Sequence, residues 1–138
     1  MPKNAKDIRL SILILSIPTR FDIVKPLFDK LLEQIGDRVD VEVISLMDNK
    51  SLHIYEKRNA LLDIARGSHI AWLDDDDDVA DDYVQVITKA IEDNPFTDVI
   101  SFNQTCYLEG KKALVFAAIA NPINDPVVWD YQNNKYKD

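Results

Sequence analysis

Short apolar runs alternate along the chain with stretches of helical period. Ile8 to Ser16 is rich in isoleucine and leucine and is followed by Pro18, which predicts a buried strand ending in a loop. Val24, Leu27, Phe28, Leu31, Leu32 and Ile35 then recur at three- and four-residue steps, with Pro26 in the first turn and Gly36 past the end, the pattern of an amphipathic helix. Val39, Val41 and Val43 alternate with Asp40 and Glu42 before an apolar run from Ile44 to Met47, so a second strand ends at Asp48-Asn49-Lys50-Ser51. A second helix is expected over Ile54 to Arg66, closed by Gly67, and a third strand over Ser68 to Leu73. Apolar positions from Ala80 to Ile91 describe a third helix, ended by Asn94-Pro95, with Asp81 and Asp82 in its first turn. Asp98 to Tyr107 and Lys111 to Ile119 read as two strands joined around Glu109-Gly110.

This order predicts an α/β fold, a Rossmann-like and mainly parallel sheet covered by helices with a C-terminal antiparallel strand pair, because parallel strands need long crossovers. One domain is expected over residues 1–120 and a loop-like tail over 121–138. In such sheets ligands bind beyond the carboxyl ends of the strands. The loops after Ser16, Met47 and Leu73 should therefore meet at one crevice, carrying Pro18-Thr19-Arg20, Asp48-Asn49 and the aspartates that begin at Asp74.

With 138 residues, 46% hydrophobic and 29% charged, the chain is long and apolar enough for one folded core. Its longest apolar stretch, Ala113 to Ala120, is well below the roughly 18 to 20 residues of a membrane span, and Met1 to Arg9 is too polar for a secretory signal. A cytoplasmic protein without a membrane span is the default expectation. The single cysteine, Cys106, excludes an internal disulfide and a thiolate metal cluster, and is read as a buried small hydrophobe. Sixteen basic and 24 acidic residues give 16 − 24 = −8, which argues against a nucleic-acid backbone as partner. Seven of the acids lie between Asp74 and Asp82, leaving 17 acids against 16 bases elsewhere, so the excess charge is confined to one segment.

The ordinary reading of such a run is solvated surface. Here it follows Ile70-Ala71-Trp72-Leu73 directly, so at least one carboxylate is aimed at the ligand edge of the sheet. Mutually repelling carboxylates call for a cation. Mg²⁺ or Mn²⁺ suits one or two carboxylates plus phosphate oxygens, and would stabilise charge growing on a diphosphate as a glycosyl bond breaks.

Glu56 to Asp77 resembles the central signature of the family-2 glycosyltransferases. In that signature an Arg-Asn opens a helix, an alanine and a glycine close it, and an apolar strand leads to Asp-x-Asp-Asp. Leu15-Ser16-Ile17-Pro18-Thr19-Arg20 is similar to the family's first strand and loop, here shortened. Asp48-Asn49-Lys50-Ser51 resembles its Asp-Asp-Gly-Ser turn, with Asn49 and Lys50 in place of the second acid and the glycine. The likeness covers about residues 8 to 92.

The resemblance implies a GT-A fold and the nucleotide-sugar-binding half of an enzyme. Such an enzyme moves a sugar from a nucleoside-diphosphate-sugar, with a uridine diphosphate-sugar favoured, to an acceptor hydroxyl of unassigned identity. It implies that Pro18, Thr19 and Asp48 lie around the base, with Asp48 accepting a hydrogen bond from it, and that Arg20 belongs to the same donor-binding loop. Arg58 would approach the base or diphosphate, Asp74 the ribose or sugar, and Asp75 the nucleotide. Asp76 would hold Mn²⁺ or Mg²⁺, with Asp74 as the first acid of the motif. A slip of one residue would hand these metal roles to Asp75 and Asp77. An inverting transfer also needs a general base, which is not assigned in this chain, so a truncated chain or a partner chain supplying acceptor site and base is expected.

Two other readings compete. Asp75-Asp76-Asp77-Asp78-Val79 fits the Asp-x-Asp-x-Val motif of haloacid-dehalogenase-like phosphotransferases, in which the first aspartate attacks phosphorus. A donor- or metal-binding module without catalysis is the non-enzymatic alternative. Trp72 is expected in the core, Asp78, Asp81 and Asp82 at the start of the third helix, and neither His53 nor His69 has the neighbours of a metal ligand.

Overall fold

The structure, a computed structural model, describes residues 8–102 in full and, beyond them, four strands by their backbone. The order is β1 (Leu10–Ser16), α1 (Phe21–Ile35), β2 (Val41–Met47), α2 (Ile54–Ile64), β3 (His69–Asp74) and α3 (Tyr83–Asp93). These are followed by β4 (Gln104–Leu108), β5 (Lys111–Val115), β6 (Val128–Asp130) and β7 (Lys135–Lys137). Contacts divide the chain into two units, Met1–Asp98 and Val99–Asp138. In the second unit β4 pairs antiparallel with β5, and β6 with β7, the latter two within the 121–138 tail. The side chain of Cys106 lies outside the described residues.

The first unit is built on a three-stranded parallel sheet in the order β2-β1-β3. Its central strand is rich in isoleucine and leucine, and Leu10, Ile12, Leu13 and Ile14 are essentially inaccessible to solvent. The chain leaves β1 toward β2 and then crosses back to β3, so right-handed crossovers place α1 and α2 on opposite faces. α3 packs against α1. Of the apolar stripe predicted for α1, Val24, Leu27, Leu31 and Ile35 are buried whereas Leu32 is exposed, and in α3 Val84, Ile87 and Ile91 are buried. Ser16 stands level with Met47, and Leu15 with Asp74, so the three following loops leave the sheet at one edge.

Three helix boundaries differ from the sequence reading, and β4 starts at Gln104 rather than at Asp98. Pro18–Arg20 forms a 3₁₀ turn that runs straight into α1, and the helix therefore starts before Val24 and carries Pro26 in its interior. α2 ends at Ile64, and Gly67 serves close approach rather than capping. A Cβ on Gly67 would lie 2.5 Å from the Ser11 backbone nitrogen, whereas the glycine N–H donates to Ser11 Oγ at 2.8 Å. α3 starts at Tyr83 with no acid in its first turn. Its N-terminal donor is satisfied from α1, where Gln34 accepts from the Val84 N–H and donates to the Ala80 carbonyl.

Candidate functional site

A cleft of about 290 Å³ opens where the three loops meet, lined by residues from all of them and from the start of α2. Leu15, Ser16, Ile17 and Arg20 come from β1 and its loop, Lys50 and Leu52 from the loop after β2, Ile54 and Lys57 from α2, and Asp75 from the loop after β3. The cleft lies at the carboxyl ends of the parallel strands, the position where open parallel sheets bind ligands.

The aspartate run is split by its geometry. Asp75, 8% exposed, turns inward. Arg20 donates to both its oxygens, Nε to Oδ2 at 2.6 Å and Nη2 to Oδ1 at 2.7 Å, and the Ser16 hydroxyl donates to Oδ2 at 2.9 Å. The Arg20 hydrogen bonds hold the Asp75 carboxyl below the usual carboxylate range, against the opposing effect of burial, with Ser16 helping. An Asp-x-Asp-x-Val nucleophile would have to be this residue, and its oxygens are already bonded. Asp74, Asp76 and Asp77 face outward instead. One carboxylate oxygen from each lies within 4.8 Å of the others, close enough to hold one metal ion. The turn beneath them is fixed by reciprocal bonds, Asp77 N–H to the Asp74 carbonyl and Asp74 N–H to Asp77 Oδ2.

Asp48 is also anchored. Its Oδ1 is closed off from solvent and paired with the Lys57 ammonium, and its Oδ2 accepts from Ser51 Oγ at 3.2 Å and the Leu52 N–H at 2.9 Å. Hydrogen bonding from Lys57 lowers the Asp48 carboxyl to about 2, against the effect of burial. Lys57 did not stand out in the sequence, although it shares a helical stripe with Leu61, and these two are the buried residues of α2. An aliphatic stem carries the ammonium along that stripe to the strand end.

The lowered Asp48 carboxyl stabilises the fold fully above its unfolded value near 4, and that contribution is lost as pH falls toward about 2. Lys57→Met should therefore be less stable than the parent at pH 6, and the gap between their urea midpoints should close as the pH drops from about 4 to about 2. A gap that stays constant through that range would show that the pair contributes nothing.

The remaining sequence candidates spread around this centre. Pro18 and Thr19 are exposed in the 3₁₀ turn above Ser16. Arg58 is exposed on α2, its guanidinium 5.7 Å over the ring of Trp72. Trp72, expected in the core, is 41% exposed because β3 is an edge of the three-stranded sheet and thinly covered on that face. Asp78 and Asp81 pair with Lys30 of α1 rather than capping α3, and Asp82 stands at the cap position without a side-chain bond. Glu92-Asp93 is a pair of adjacent acids downstream of the aspartate run. It lies at the far end of α3, where Glu92 bonds Arg9 and Asp93 bonds Lys89, away from the carboxyl edge of the strands.

Among the described residues no helix is long and apolar enough to cross a membrane. No curated protein and no solved structure gives a significant match to the chain. The sequence model described as Glycosyl transferase family 2 matches residues 29–114, a span from α1 through β5 that includes the Asp48 turn, α2 and the whole aspartate run. That span is more than half of the chain, which thus belongs to glycosyl transferase family 2.

Proposed function

We propose that the cleft binds a nucleoside-diphosphate-sugar, with uridine as the favoured base, and that Asp74 and Asp76, with Asp77 beside them, hold Mn²⁺ or Mg²⁺ against its diphosphate. The observation that carries this reading is the division of the run into one inward aspartate locked by Arg20 and three outward ones within reach of a common ion. It favours the Asp74 and Asp76 register over Asp75 and Asp77, because a carboxylate with both oxygens bonded to Arg20 is a poor ligand. Carboxylates and phosphate oxygens are the hard donors that these cations prefer. A bound ion would supply charge stabilisation to the departing nucleoside diphosphate.

The chain's own residues supply position. Asp75 fixes Arg20 at the floor of the cleft, and Asp48 fixes the 48–52 turn and Lys57 along its side. The base is assigned to the rim formed by Pro18, Thr19 and the Asp48 turn, with Arg58 toward the outer end of the donor. Transfer to the acceptor hydroxyl is assigned an inverting course, with the general base drawn from outside residues 8–102. Nothing in the geometry favours a module that only binds metal, or a phosphotransferase using Asp75.

Calorimetric titration with uridine, adenosine and guanosine diphosphates, each with Mn²⁺ and with a chelator, tests the reading. Binding should be much tighter with Mn²⁺ than with the chelator and should favour uridine diphosphate. Equal affinity for the three bases would remove the uridine assignment, and no binding of any of them with Mn²⁺ would overturn the donor site.

A further inference from the structure

Lys50 combines two features that the donor reading does not use. It is the one non-glycine residue with positive φ among the described residues, at 65°, where an L side chain crowds its own backbone. It also lines the cleft. The position answers to the glycine of the resembling Asp-Asp-Gly-Ser turn, and a glycine would adopt this conformation without strain. The turn is pinned on both sides of Lys50, by the Asp48 carboxylate and by the Ser51 and Leu52 groups that donate to it. A lysine held in a strained conformation at a cleft wall is a candidate for a binding role.

The charges around it identify the ligand chemistry. Three cations line the cleft, Arg20, Lys50 and Lys57. Arg20 is bonded to Asp75 and Lys57 to Asp48, whereas Lys50 is exposed and pairs with no carboxylate among the described residues. In a protein of net charge −8, a cation left uncompensated beside a built cleft attracts an anion. The β2-β1-β3 order puts the Lys50 loop and the aspartate loop on opposite sides of the β1 terminus.

We propose that Lys50 contacts a phosphate oxygen of the donor diphosphate, gripping it from the side opposite the outward aspartates. This rests on the nucleotide-sugar reading above. The diphosphate would then be held between two positive groups, one of them covalently part of the chain, and some phosphate affinity should survive removal of the metal.

The test compares the parent with Lys50→Gln, which keeps the length and removes the charge, and Lys50→Gly, which also relieves the backbone. The probes are inorganic pyrophosphate with a chelator, uridine diphosphate with Mn²⁺, and uridine alone. Both variants should bind pyrophosphate and uridine diphosphate about tenfold more weakly and uridine unchanged, while Lys50→Gly should melt at a higher temperature than the parent. If the parent binds uridine diphosphate and both variants match it, Lys50 has no such role and the donor reading stands. If pyrophosphate binds through Lys50 but no nucleoside diphosphate binds with Mn²⁺, the anion contact stands and the donor reading falls. A parent that binds neither probe overturns both.

Discussion

Asp75→Asn is expected to lower the stability of the folded chain by about 1 to 3 kcal/mol, the largest loss expected from a single change in the aspartate run. Its carboxylate is nearly buried and accepts three side-chain hydrogen bonds, two of them from one guanidinium. Asparagine has one oxygen in place of two. Its amide group would face a donor of Arg20 or Ser16, leaving one of them unsatisfied. Full loss of a buried ion pair partner costs about 3 to 5 kcal/mol, but the Arg20 side chain is 39% exposed and Asp76 stands 3.8 Å away as a second partner, so the smaller figure applies. Urea unfolding of the metal-free protein measures it. A functional consequence should follow, because an Arg20 released toward Asp76 would compete with a cation for that carboxylate. A loss below about 0.5 kcal/mol would place the pair among surface ion pairs of little consequence.

The parts of the site that were legible in the sequence are those fixed by local period. Apolar runs and helical stripes gave three strand-helix units in the right order, and the loops after Ser16, Met47 and Leu73 could be assigned to one edge before any contact was known. The family pattern singled out the aspartate run as the place of the proposed metal site. What stayed hidden was which aspartate turns inward. Asp75 is selected by Arg20, 55 residues earlier, and a run of five identical residues carries no local mark of that choice. The Asp48 and Lys57 pair was hidden for a related reason, since a lysine on a helix reads as solvated unless the end of the neighbouring strand is known to offer it a carboxylate. Gly67 was legible as a breaker, but its reason, contact with Ser11 of β1, belongs to packing. The start of α3 was misjudged because its N-terminal donor is met by Gln34 of α1 instead of by the aspartates beside it.

The central claim is that the outward aspartates form a specific cation site beside the donor cleft, and Asp76 carries most of that claim. Asp76→Asn keeps the size and removes one negative charge from a group of three carboxylates within 4.8 Å of one another. Metal-free stability should be unchanged or slightly improved, because a repulsion is removed and the contact with Arg20 at 3.8 Å is long. Asp78→Asn is the matched control. Asp78 bonds Lys30 and the Val79 N–H on the outer surface and is not one of the three clustered acids. Calorimetric titration of uridine diphosphate in the presence of Mn²⁺ should show affinity falling about tenfold to a hundredfold for Asp76→Asn and scarcely changing for Asp78→Asn. If the two variants lose affinity equally, or neither loses any, the run is a diffuse acidic surface and the proposed metal-assisted donor site is wrong.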